Sequence, residues 1–88
     1  MSVRRTFCEV TDLCGDTLAL TEEQSRRVVR LWDRDDITVS VSLGAGLRAC
    51  LDERVGVVVR DRGSSWWTVS PRDVASIRRR LAKAEAVR

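Results

Sequence analysis

The spacing of hydrophobic residues changes several times along this chain, and each change marks a change of backbone. Ile37, Val39, Val41 and Leu43 alternate with Thr38, Ser40 and Ser42, the period of two that sends successive side chains to opposite faces of a strand. After the turn Gly44-Ala45-Gly46, Leu47, Ala49 and Leu51 alternate with Arg48, Cys50 and Asp52; Leu47, Cys50 and Leu51 also match helical spacing, so both a strand and a short helix are open there. Val55 to Arg60 and Ser65 to Ser70 are rich in β-formers and flank Asp61-Arg62-Gly63-Ser64, where Gly63 suits a hairpin loop. Near the N-terminus, Thr6 to Val10 and Thr17 to Leu20 read as short strands on either side of a turn.

Two segments follow the helical period instead. Thr21-Glu22-Glu23-Gln24 is a capping box, in which the threonine hydroxyl and the glutamine side chain satisfy each other's backbone N–H groups. Beyond it Val28, Val29, Leu31 and Trp32 share one arc of the helical wheel, and Glu22, Glu23, Arg26, Arg27, Arg30, Asp33 and Arg34 take the other. The second helix runs from Pro71 to about Ala86: Ser70 caps it, Pro71 fills the first helical position, Asp73 meets the positive end of the dipole, and Val69 and Val74 form a staple. The short connections after Ile37 favour antiparallel pairing. The expected architecture is therefore α+β, an antiparallel four- to five-stranded meander with two amphipathic helices packed on one face, forming a single domain over residues 1–88.

Composition narrows the function. A chain of 88 residues, 43% hydrophobic and 33% charged, supports one core and is too apolar for a disordered segment. The longest apolar run, Val55 to Val59, is far short of the ~20 residues that cross a bilayer, and Met1 to Thr6 leads into no apolar signal-peptide stretch. Three cysteines, Cys8, Cys14 and Cys50, form no paired framework and suit a reducing compartment, so a cytoplasmic protein with no membrane association is expected. Its shortness and its bias to arginine over lysine, which occurs only at Lys83, fit an accessory protein of a mobile element in a GC-rich host.

Catalytic chemistry finds little to work with. The chain has no histidine, which removes the commonest general base and metal ligand. Asp33, Asp35 and Asp36 sit among Arg30 and Arg34 and read as a solvated turn rather than a carboxylate dyad. Gly44-Ala45-Gly46 lacks the third glycine of a dinucleotide loop and the Lys-Ser/Thr of a P-loop, and the three cysteines lack zinc-site spacing. A non-enzymatic protein with no metal, no cofactor and no small-molecule substrate is expected.

Two surfaces carry the functional expectation. Trp66 and Trp67 are adjacent on a strand, so they point to opposite faces and at most one can enter the core. Trp67 shares its face with Val69; Trp66, with Thr68 and Val58, is assigned to the outer face as an exposed apolar patch for a protein partner or a second copy in a homodimer. The alternative is nucleic-acid binding by the C-terminal helix, because residues 71–88 carry six cations against two anions. There Arg72, Arg79 and Lys83 fall opposite the apolar arc of Val74, Ile77, Leu81 and Ala84, and Arg80 extends the stripe on one side.

Overall fold

In the computed structural model, which describes residues 6–11, 15–63 and 65–87, the chain forms β1 (Cys8–Thr11), β2 (Thr17–Leu20), α1 (Glu22–Arg34), β3 (Ser40–Gly44), β4 (Leu47–Asp52), β5 (Gly56–Arg60), β6 (Trp66–Val69) and α2 (Pro71–Val87). The fold is α+β. Its strands make two antiparallel sheets, the hairpin β1-β2 and the meander β3-β4-β5-β6.

This corrects the single four- to five-stranded sheet carrying both helices on one face. The N-terminal strands satisfy their ladder locally, from Cys8 opposite Leu20 to Thr11 opposite Thr17, and Phe7 N donates to Leu20 O at 2.8 Å. β1 then runs beside β6 without pairing to it. The hairpin contributes Cys8, Val10 and Leu20 to the same core as the helices, so it acts as part of the cover over the meander rather than as an extension of it. α1 lies against β3, β4 and β5, whereas α2 meets the sheet at β6 and otherwise packs along α1.

Register fixes which side chains enter the core. Val41 pairs with Ala49, Ala49 with Val59 and Val59 with Trp67; Leu51 pairs with Val57 and Val57 with Val69. These residues form the inner face against Val28 and Leu31 of α1 and Val74, Ile77 and Leu81 of α2. Residues 47–52 are strand, which decides between the two periods that the sequence allows there. The first part of the expected strand from Ile37 is not strand: Asp35 closes α1 with φ 53°, and Asp36 Oδ1 accepts from Thr38 N at 2.9 Å and from Thr38 Oγ1 at 2.6 Å. That side-chain turn consumes residues 36–38 and leaves Ile37 half exposed.

Both helix caps form as the sequence dictates. Gln24 N donates to Thr21 Oγ1 at 3.2 Å while Thr21 N donates to Gln24 Oε1 at 2.9 Å. At α2, Asp73 N donates to Ser70 Oγ at 3.2 Å and Ser70 N to Asp73 Oδ2 at 3.1 Å. The helices run antiparallel, joined by Arg26 to Glu85 at 2.6 Å and by Arg78 to Asp33.

Gly56 is the most closely packed of the described glycines. Its φ is +106°, and a Cβ there would fall 2.5 Å from Val69 O and 3.4 Å from Trp32 Cζ3. Gly56→Ala should therefore destabilise the fold by about 2–4 kcal/mol, combining left-handed strain with displacement of the β5-β6 ladder. Equilibrium urea unfolding measures this; a loss below about 1 kcal/mol means that the close approach is relieved at little cost.

Candidate functional site

Pleating places four residues in one row across the outer face of the meander: Ser42 opposite Arg48, Arg48 opposite Arg60, and Arg60 opposite Trp66. Trp66 is 54% exposed, and the Arg60 guanidinium lies over its ring at 5.9 Å from the centroid. A cation so placed is attracted to the face of the indole and limits its rotamers. Arg62 packs its side chain against Gly46 in the β3-β4 turn, and Arg48, Arg60 and Arg62 border a depression of about 540 Å³ beside that turn. None of these three arginines forms an ion pair among the described residues.

The next row is Ser40, Cys50, Val58 and Thr68. Thr68 is half-buried, and Val58 is only 3% exposed although it lies outside the core cluster. This corrects the size of the expected apolar patch. On a pleated sheet the side chains of flanking strands close over a β-branched residue at the centre, so Val58 adds almost no free area and, among the three residues of the expected patch, Trp66 alone is exposed.

Trp67 points the other way, half-buried against the core, with its Nε1 buried and unpartnered among the described residues. An unmatched buried donor costs about 1–3 kcal/mol.

Val74, Ile77 and Leu81 turn one side of α2 to the core, and the cations lie outside that buried arc. Arg72, Arg79, Arg80 and Lys83 are all exposed. Arg80 is engaged locally, donating from Nη1 to Phe7 O at 3.1 Å.

Two features escape sequence reasoning. One is the Arg48–Arg60–Trp66 row, which needs the register of three strands; pairing Arg60 with Trp66 across the 61–65 loop is the signal that could have found part of it. The other is a groove of about 420 Å³ between α1 and β3, walled by Arg27, Arg30 and Arg34 and floored by Leu31, Val39 and Val41.

The two described cysteines do not meet as a site. Cys8 is in the core with its Sγ 3.2 Å from Ser25 Oγ, Cys50 is on the outer face, and Cys14 lies outside the described residues. Among the described residues no three Cys, Asp or Glu side chains gather in a metal-binding group, and no helix is long and apolar enough to cross a membrane. No protein-family model, no curated protein and no solved structure matches the chain.

Burial pushes the Cys8 thiol above its ordinary pKa, outweighing the opposite pull of Ser25 and Arg80. A thiol held neutral in the folded state stabilises the fold below the ordinary thiol pKa of about 8.5, and that stability is lost as pH rises through the raised value. Alkylation of the native protein at pH 8 should label Cys50 at least about tenfold faster than Cys8, read by peptide mass spectrometry. Equal rates would mean that β1 opens readily.

Proposed function

We propose that the protein is a non-enzymatic binding module that acts through the outer face of the meander and self-associates there, with Trp66 at the centre of the contact. The observation that carries this reading is an indole more than half exposed on a rigid strand with a guanidinium over its ring. Tryptophan and arginine are the residue types most enriched among side chains that dominate binding energy.

Charge supports a second copy as the partner. Along β4, Arg48 and Asp52 both occupy outer positions at opposite ends of the strand, about 13 Å apart at the usual rise per residue. Arg60 and Trp66 share the row of Arg48, and Glu53 follows Asp52. A two-fold axis lying across the strands brings Arg48 and Arg60 of one copy over Asp52 of the other, giving the same contact twice. A face of four short strands is small for a stable dimer, so a dissociation constant of roughly 10–100 µM fits this reading.

Sedimentation equilibrium tests it. Trp66→Ala should weaken dimerisation at least about tenfold, and Asp52→Arg or added salt should weaken it further, since the paired ends are solvent-facing. A monomer up to about 1 mM, beyond the weak end of specific association, sinks the self-association reading.

The second reading is nucleic-acid binding by α2, favoured by the exposure of Arg72, Arg79 and Lys83 without ion pairs among the described residues. Contact with about four phosphates predicts a log–log salt slope near −3.6 on duplex DNA, which Arg79→Glu with Lys83→Glu should reduce to about half. Absence of binding at low salt removes this reading.

A further inference from the structure

We propose that the groove between α1 and the open side of β3 receives an acidic peptide of a partner protein, bound extended as an additional strand alongside residues 39–42. The site is distinct from the Trp66 face, and the proposal does not depend on self-association.

β3 is an edge of the meander, with β4 on one side and no strand on the other among the described residues. Such an edge offers unpaired backbone groups to an incoming chain. Two side chains of α1 occupy carbonyls of β3. Gln24 Nε2 donates to Leu43 O at 3.0 Å from a side chain that is almost wholly buried, so that carbonyl is closed. Arg27 Nη1 donates to Ser42 O at 2.8 Å from an exposed side chain, whose other partner is the exposed Glu23. Exposed ion pairs contribute little, so this guanidinium can leave. A peptide amide can then take the Ser42 carbonyl, and Arg27 is released to a carboxylate of the same peptide. By the alternation of an antiparallel ladder Ser40 presents its backbone in the same direction as Ser42.

The chemistry of the groove selects the peptide. Arg27, Arg30 and Arg34 line one wall, and Leu31, Val39 and Val41 form the floor. Neither Arg30 nor Arg34 has an ion pair among the described residues; the neighbouring Asp33 is held by Arg78, and Asp36, hydrogen-bonded by Thr38, feels the charge of Arg34 only at a distance. A strand with acidic and apolar side chains matches this wall and floor. A second copy of β3 does not, because it brings the same arginines face to face.

The test uses the full chain and a fluorescein-labelled hexapeptide of glutamate and valine, followed by polarisation and by amide chemical shifts. Saturable binding is expected, with shifts centred on residues 39–42. Replacing glutamate by glutamine in the peptide, or Arg30→Glu with Arg34→Glu in the protein, should weaken it by about tenfold or more. Methylating the peptide nitrogens should abolish it, while Trp66→Ala should leave it unchanged. Equal binding of the N-methylated peptide, with displacement by decanoate, would make the groove a carboxylate site and overturn strand addition. Shifts centred on the Trp66 face, or no saturable binding, overturn it as well.

Discussion

A single buried amide sets the relation between α1 and the meander. Gln24 spends its oxygen on the Thr21 backbone and its nitrogen on Leu43 O. Leu43 sits where the β3-β4 register shifts between Ser42 and Gly44, so its carbonyl is not matched in the regular ladder and needs a donor from elsewhere. The cap thus starts the helix and closes the bulge at once. Beside it Ser25, fully buried, donates to Thr21 O at 2.8 Å and touches Cys8, tying the same turn to the N-terminal hairpin. Helix, sheet and hairpin all meet within one turn of α1, and the polar groups there are worth keeping because each has its partner.

From that anchor the two outer surfaces follow. A meander covered on one side must turn every second side chain to water, and the register collects Arg48, Arg60 and Trp66 in one such row. Meanwhile α1 covers β3 from the inner side with its own apolar arc and leaves its arginines at the rim of the sheet edge. The Trp66 face, the α1-β3 groove and the cationic stripe of α2 therefore look in different directions on a body of 34 × 30 × 23 Å.

Much of this was legible in the residues. Thr21 and Gln24, Ser70 and Pro71, and the alternation across residues 39–43 and 65–70 carry strong local signals, because caps and pleats are decided within a few residues. The opposed placement of Trp66 and Trp67 follows from pleating alone. What was not legible is non-local. Whether β1 joins the meander depends on competition between a local hairpin and a distant edge, and neither alternative leaves a mark in the spacing of Thr6 to Val10. The side-chain turn of Asp36 and Thr38 overrides an unbroken β pattern from Ile37. Val58 reads as exposed by parity, yet its neighbours cover it, since parity gives direction and not burial.

The three indoles occupy three different surroundings. Trp32 and Trp67 are half-buried beside the core, whereas Trp66 is open to solvent under a guanidinium. The chain therefore carries its own optical reporter: red-shifted emission quenched by iodide belongs to the outer face of the meander, and the blue-shifted remainder to the interior. Ligands and conditions that act on one side of the sheet can be told from those that loosen the whole molecule without attaching any dye.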